Sequence, residues 1–187
     1  MDDLFDTEPS IAPGFRYEPD LVSEAGQIAL TEEIKSLPLQ AFDFHGFKAK
    51  RRVVSYGWRY DFSSARLIQI DPIPDWLFPL REAVAKFAGA GAEAFVQVLV
   101  SEYAPGAGIG WHKDKAVFDK IVGVSLGAAC QLRLRQESGD RKWMRAQQEI
   151  MPGSMYLLEG DVRTNWEHSI APVALLRYSI TFRTLRN

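Results

Sequence analysis

The sequence predicts an α+β, mainly β protein in which helices come first and an antiparallel sandwich or jelly roll follows. After Gly91 the chain is a series of short apolar or alternating runs, separated by Gly and Pro turns with no helical pattern between them. Before Gly91 two stretches have the apolar spacing of helices. The 187 residues are 47% hydrophobic and 25% charged, which suits one domain with its own core.

Two helices are predicted in the first half. Ser23 is placed to cap a first helix whose apolar face includes Ile28 and Leu30, and Pro38 stops it. A second helix is predicted over 79–89, since proline suits a first turn and glycine suits a C-terminal end.

Five β segments are predicted in the second half. Each is a short apolar run or alternates with period two, and turn residues separate them. They cover 95–103, 121–126, 130–135, 155–158 and 175–182.

Composition excludes several classes of protein. The single cysteine, Cys130, excludes a disulfide framework and any multi-cysteine metal site, and it fits a reducing cytoplasm. The acidic N-terminus and the lack of a long apolar run predict a cytoplasmic protein with no membrane segment. The formal net charge of −2 argues against binding nucleic acid by overall charge, but it allows a local basic groove.

Two motifs have competing interpretations. The G-x-G-x-G pattern at 106–110 resembles a phosphate loop, but no helix pattern follows it, and a turn between strands is favoured. Gly123-Val-Ser125-Leu-Gly127 matches a hydrolase nucleophile motif, with Asp161 and His168 downstream in the matching order. The residues after Gly127 alternate with period two, as in a strand, so we reject a serine nucleophile.

A third motif, His112-x-Asp114 followed by His168, predicts a metal site. Residues i and i+2 of a strand point the same way, and a histidine from a neighbouring strand can complete the set. Two histidines and one carboxylate are the facial ligands of non-haem Fe(II) oxygenases. The alternative is that these are ordinary hydrogen-bonded side chains.

The C-terminal segment supplies two arginines on one predicted strand face. Arg177 and Arg183 share this face with Ser179 and Thr181. Two guanidinium groups near a ferrous centre would suit a dicarboxylate, because each can bind a carboxylate through paired N–H donors. The alternative is a solvated strand face, which we expect for Arg133 and Arg135.

These motifs together resemble the AlkB family of Fe(II)- and 2-oxoglutarate-dependent dioxygenases. The matching segments are Y-A-P-G at 103–106, W-H-K-D at 111–114, V-G-V-S-L-G at 122–127, Gly160-Asp161, His168, and R-Y-S-I-T-F-R at 177–183. The resemblance implies a double-stranded β-helix and a single dioxygenase domain over 1–187. Its jelly-roll catalytic core would cover 92–187, and N-terminal helices with a nucleotide-recognition lid would cover 20–91.

The resemblance also implies the cofactors Fe(II), 2-oxoglutarate and O2 and a role for each matching residue. His112, Asp114 and His168 would bind the iron. Tyr103 and Arg177 would bind the distal carboxylate of 2-oxoglutarate, and Arg183 would lie near its metal-bound end.

Three positions depart from the family pattern. Ser101 stands two residues before the tyrosine, where the repair members tend to carry asparagine, and Ser179 likewise replaces an asparagine. Ala116 replaces a second acid that contacts the substrate base.

The substrate side is predicted in 42–76, a stretch that is rich in aromatic and basic residues. Tyr56, Trp58 and Tyr60 would form stacking walls for a flipped base. A basic strip would grip phosphates; it comprises Lys48, Lys50, Arg51 and Arg52. The alternative is that these four charges are solvated loop residues.

Three functions are weighed. The first is oxidative removal of N-methyl groups from alkylated bases in DNA or RNA, with release of formaldehyde, succinate and CO2 by a monomeric enzyme. The second is the same oxygenase chemistry on a protein or small-molecule substrate, which Ala116 and the slight acidity favour. The third is a non-catalytic jelly roll that binds a ligand.

Overall fold

The computed structural model describes residues 11–44, 47–61, 63–139 and 142–186, with backbone alone at 42–44 and 47–49. Its three α-helices are α1, Glu24–Lys35, α2, Phe78–Ala88, and α3, Gly160–Thr164. Short 3-10 turns lie at Asp75–Leu77 and Ala92–Ala94.

Thirteen strands are formed by the described residues. In chain order β1 to β13 they are Phe15–Glu18, Gln40–Phe44, Phe47–Tyr56, Trp58–Asp61, Arg66–Gln69, Phe95–Tyr103, Ile109–His112, Phe118–Gly127, Cys130–Glu137, Trp143–Ile150, Met155–Leu158, Glu167–Ile170 and Arg177–Leu185.

The two long helices agree with the sequence prediction. The Ser23 side chain accepts a hydrogen bond from the Gly26 backbone N–H at the start of α1. α2 ends at Gly89, whose φ of 61° lies in the left-handed region that favours glycine.

The strands form two antiparallel sheets and a small hairpin. The seven-stranded sheet has the order β1-β11-β8-β13-β6-β3-β2, and the four-stranded sheet has the order β10-β9-β12-β7. β4 and β5 pair only with each other. This arrangement confirms the jelly-roll prediction.

Two hydrophobic cores lie on opposite sides of the seven-stranded sheet. The first packs the sheet against the helices, with Val84 of α2 and Ile180 of β13 both fully buried. The second lies between the two sheets, where Tyr156 of β11 packs in the same cluster as Leu132 and Leu134 of β9. The central strand β13 is therefore covered on both faces, and its polar side chains are enclosed between the sheets.

The prediction that β structure begins only after Gly91 is wrong. The strands β2 to β5 lie between 40 and 69, and β3 joins the seven-stranded sheet by pairing with β6. The aromatic and basic stretch does not alternate cleanly, because its hairpins have partly exposed faces, so period-two counting missed them. β1, β7, β10 and β12 were also missed; three of them are only four residues long.

No helix in the described part of the chain is long and apolar enough to span a membrane.

Candidate metal and co-substrate site

His112, Asp114 and His168 converge at one end of the space between the sheets. His112 ends β7, Asp114 follows it by two residues, and His168 lies on β12 directly opposite His112 in the register. The two imidazole rings are 4.2 Å apart between centroids, and His168 Nε2 lies 3.8 Å from Asp114 Oδ2. Their ligand atoms all lie within 4.8 Å of one another, and among the described residues no other such group of His, Cys, Asp and Glu is present.

The local structure holds these side chains in position for a metal. His112 Nδ1 lies 2.9 Å from the Gly110 carbonyl oxygen, so an N–H at Nδ1 donates there and Nε2 remains free as a ligand. Arg163 of α3 donates to the carbonyl oxygens of Lys115 and Phe118. These bonds brace the loop that follows Asp114.

The electrostatics keep Asp114 and His168 in their metal-binding protonation states. Burial lowers the pKa of His168 to about 4, against the opposing effect of the Asp114 carboxylate, so the imidazole is neutral at pH 7. Burial alone would raise the pKa of Asp114, but the positive charge of Arg183 outweighs it and holds that pKa well below its usual range. A carboxylate and neutral imidazoles are the forms that bind divalent iron.

Arg183 joins the metal site to the interior of the seven-stranded sheet. Its guanidinium donates to Asp114 Oδ1 at 3.2 Å and to Gln97 Oε1 at 2.8 Å. Arg183 is buried, so it fixes the Asp114 carboxylate from the side that faces away from solvent.

Arg177 lies deeper on the same face of β13 and is only 1% exposed. Its Nε donates to Ser125 Oγ at 3.2 Å, but the buried Nη1 and Nη2 have no hydrogen-bond partner among the described residues. Since a buried guanidinium is costly unless it is paired, this arrangement calls for an anionic ligand. Because Arg177 and Arg183 are both buried, the alternative that they lie on a solvated strand face is excluded.

Tyr103 lies beside Arg177 in the space between the sheets. It pairs with Arg177 in the register of β6 and β13, and its ring centroid lies 4.8 Å from the Arg177 Cζ. Burial would raise the pKa of the Tyr103 phenol, but the guanidinium groups of Arg177 and Arg51 reverse the shift and lower it. The phenol is therefore part of the same cationic pocket.

The comparisons with known proteins agree with this donor set. The model of the 2OG-Fe(II) oxygenase superfamily matches residues 22–183. The chain belongs to that superfamily. Its members use Fe(II), 2-oxoglutarate and O2, and the two-histidine, one-carboxylate set and the unpaired cation of Arg177 fit the metal and the dicarboxylate.

Curated relatives of this oxygenase confirm the resemblance to the AlkB family. An Arabidopsis thaliana protein named alkylated DNA repair protein ALKBH8 homolog is 28% identical over 89% of this chain and 53% of its own length. A Danio rerio protein named probable RNA/DNA demethylase ALKBH6 is 26% identical over 59% of this chain and 44% of its own. The oxygenase chain thus spans about half the length of the curated relatives that it matches.

Solved structures share the fold of this oxygenase. That of OsALKBH1 has a TM-score of 0.68 at 16% identity, covering 92% of this chain and 97% of its own. A Pseudomonas putida prolyl-4-hydroxylase has a TM-score of 0.66 at 15% identity, covering 92% and 93%.

Two of the three predicted stacking aromatics lie together on β4, and one of them, Tyr60, contacts the residue that follows the metal motif. Trp58 and Tyr60 share a face of β4, and the Lys115 ammonium, one residue after Asp114, lies 4.9 Å from the Tyr60 ring centroid. Tyr56 is 9% exposed and packs in the core between helices and sheet, so the prediction that it forms a stacking wall for a base is wrong. Gly57, with a φ of 78°, turns the chain between them.

The predicted basic strip is also not one surface. Arg51 and Arg52 are consecutive on β3 and therefore point to opposite faces. Arg51 is buried between the sheets, whereas Arg52 is exposed and forms a two-point ion pair with Glu102. The Lys48 side chain and His45 lie outside the described residues.

The prediction that Arg133 and Arg135 lie on a solvated strand face is wrong, because both side chains pack against tryptophan rings. Arg135 Cζ lies 4.4 Å from the Trp111 ring and 4.3 Å from the Trp143 ring, and Arg133 Cζ lies 5.3 Å from Trp111. Because Trp111 precedes His112 on β7, its ring is on the outer face of that strand, away from the metal ligands.

The sequence interpretation missed Ser125 and Gln97, which orient the two arginines. Ser125 is fully buried in the middle of β8, which agrees with its rejection as a nucleophile. The G-x-S-x-G motif, which we rejected as a nucleophile motif, could have pointed to Ser125 as the residue that orients Arg177. A Cβ on Gly123 would lie 2.3 Å from the Tyr156 ring, so glycine leaves that ring its place beside the pocket.

Replacing Ser125 by alanine is expected to raise the KM for 2-oxoglutarate about threefold to tenfold with little change in kcat. The variant removes the acceptor that orients the Arg177 Nε, and a typical hydrogen bond contributes about 0.5–1.5 kcal/mol. Succinate formation at varied 2-oxoglutarate measures it. Ser138→Ala, on an exposed turn, is the control, and an unchanged KM in Ser125→Ala would contradict this orienting role.

Proposed function

We propose that this oxygenase uses Fe(II), 2-oxoglutarate and O2 to remove N-methyl groups from alkylated bases in single-stranded DNA or RNA. His112, Asp114 and His168 would hold the iron, and Tyr103, Arg177 and Arg183 would hold 2-oxoglutarate. The observation that carries the proposal is the unpaired Arg177 guanidinium enclosed between the sheets, on the strand that also carries the Asp114 partner Arg183.

The chain's own residues would position and protect the reaction. When bound, the iron with 2-oxoglutarate and O2 supplies oxidation of a substrate C–H bond. Arg177 and Tyr103 orient the dicarboxylate from its distal end, and Arg183 keeps the Asp114 carboxylate turned toward its partners. An N-methyl group oxidised to N-hydroxymethyl loses formaldehyde and leaves the free amine.

The substrate side of the proposal rests on the β4–β5 hairpin. Trp58 and Tyr60 are partly exposed on one strand face, and the contact of Tyr60 with Lys115 places that face beside the loop after Asp114. Aromatic faces bind unpaired bases by stacking, and an ammonium group beside them suits a phosphate. The names of the relatives, an alkylated DNA repair protein and an RNA/DNA demethylase, support this substrate class.

The proposed function is tested with a panel of three substrates and a control without substrate. The protein is incubated with Fe(II), 2-oxoglutarate, O2 and either methylated single-stranded DNA, methylated RNA, a methylated peptide or no substrate. Formaldehyde and succinate are measured. Equal amounts of both with a nucleic acid support the proposal. Formaldehyde with the peptide alone would move the assignment to a protein substrate, and no succinate with any of them would contradict the oxygenase activity.

Tyr60→Ala is expected to raise the KM for the methylated oligonucleotide about 5- to 100-fold, because a base–aromatic stack is worth roughly 1–3 kcal/mol. Succinate formation without nucleic acid should be unchanged, since Tyr60 lies outside the co-substrate pocket. Tyr17→Ala is the control, because β1 is the edge strand of the seven-stranded sheet farthest from β2 and β3, and β3 leads into β4. An unchanged oligonucleotide KM would remove Tyr60 from the substrate surface.

A further inference from the structure

Arg51 is a buried arginine whose position the sequence did not explain. It is 8% exposed on the inner face of β3, while its neighbour Arg52 has a half-exposed side chain (52%) paired with Glu102 on the outer face. The long charged side chain of Arg51 is buried between the two sheets, where a charge needs polar partners, and the Tyr103 hydroxyl is one such partner.

The sheet register places Arg51 in one row with the co-substrate residues. Arg51 of β3 lies opposite Tyr103 of β6, and Tyr103 lies opposite Arg177 of β13. All three side chains point into the space between the sheets. The Arg51 Cζ lies 5.9 Å from the Tyr103 ring centroid, and the Arg177 Cζ lies 4.8 Å from the same ring.

Tyr103 therefore has a guanidinium group on each side. Both cations lower the pKa of its buried phenol. The ionisable groups that act most strongly on Arg177 are Tyr103, Cys130 and Tyr156, which are phenols and a thiol rather than carboxylates. A pocket with two guanidinium groups and a phenol favours a carboxylate, which can accept hydrogen bonds from these donors on both of its oxygens.

We propose that Arg51 is a further co-substrate residue, whose guanidinium acts with Arg177 and Tyr103 on the distal carboxylate of 2-oxoglutarate and selects for a dicarboxylate. This inference rests on the co-substrate site proposed above. It reassigns Arg51 from gripping phosphate to recognising the co-substrate. It also gives β3, the strand that leads into the substrate hairpin, a direct part in 2-oxoglutarate binding.

The test compares Arg51→Gln with Arg52→Gln, its neighbour on the opposite face. Binding of 2-oxoglutarate and of 2-oxopentanoate, which has a methyl group in place of the distal carboxylate, is measured by calorimetry with Mn(II) replacing Fe(II). Arg51→Gln should weaken 2-oxoglutarate binding about 10- to 100-fold, the range for a charge-assisted pair. Its 2-oxopentanoate binding should match that of the unaltered protein, and Arg52→Gln should leave both affinities unchanged.

Other outcomes overturn the proposal. Unchanged 2-oxoglutarate affinity in Arg51→Gln would place the guanidinium away from the carboxylate, and equal weakening of both ligands would make Arg51 a structural residue. If Arg51→Gln does not fold by circular dichroism, Arg51→Lys replaces it. That variant must then lose 2-oxoglutarate affinity without losing 2-oxopentanoate affinity. Lack of 2-oxoglutarate binding by the unaltered protein would instead overturn the co-substrate site itself.

Discussion

Replacing His112, Asp114 or His168 singly by alanine is expected to reduce succinate formation to the level of a metal-free control while the protein stays folded. Each residue supplies one of three donors, and their ligand atoms lie within 4.8 Å of one another. Loss of one donor leaves two, which weakens metal retention and frees a further coordination position. Mn(II) binding, succinate formation and circular dichroism measure the three parts of this expectation.

The control for the metal-ligand variants is Asp75→Ala, which removes an exposed carboxylate from a 3-10 turn. It should retain full turnover and Mn(II) binding. A variant at His112, Asp114 or His168 with undiminished turnover would show that the residue altered is not a ligand.

Arg177→Lys is expected to raise the KM for 2-oxoglutarate about 10- to 100-fold although it keeps the positive charge. The guanidinium is 1% exposed, and its two terminal nitrogens have no hydrogen-bond partner in the part of the chain that the structure describes, so it can meet a carboxylate with paired donors. A lysine ammonium is a point charge and also loses the bond from Nε to Ser125. Steady-state succinate formation at varied 2-oxoglutarate gives the KM.

Arg133→Lys serves as the matched control for Arg177→Lys, because Arg133 lies on β9 with its guanidinium over the outward-facing Trp111. Its KM for 2-oxoglutarate should equal that of the unaltered protein. If Arg177→Lys also had this KM, the buried arginine would not belong to the co-substrate site.

Alternation along single strands predicted correctly which side chains of the candidate site share a strand face. Tyr178, Ile180 and Phe182 bury one face of β13 in the helix-side core, so Arg177 and Arg183 must face the other way. The i, i+2 spacing likewise places His112 and Asp114 together. These features depend on neighbours in the chain, and a sequence records them directly.

Pairing between distant strands could not be predicted in the same way. Whether Arg51 or Arg52 faces the interior depends on the register of β3 against β6, and a shift of one residue would exchange them. Tyr56 depends on the same register. It lies four residues after Arg52 on β3, so its side chain points to the same, helix-side face. The partner of Arg177, Ser125, is 52 residues away in the chain, and only the pairing of β8 with β13 brings the two together.

The unpaired charge of Arg177 also couples the lifetime of the folded protein to the supply of its ligand. A cation enclosed without a counter-charge makes the ligand-free fold less stable than its packing alone would allow. A bound dicarboxylate neutralises it, and a ligand that binds only the native state adds about 2.7 kcal/mol at one hundred times its dissociation constant. Degradation by proteases depends on how often the chain opens, so a molecule holding 2-oxoglutarate should survive longer than an empty one.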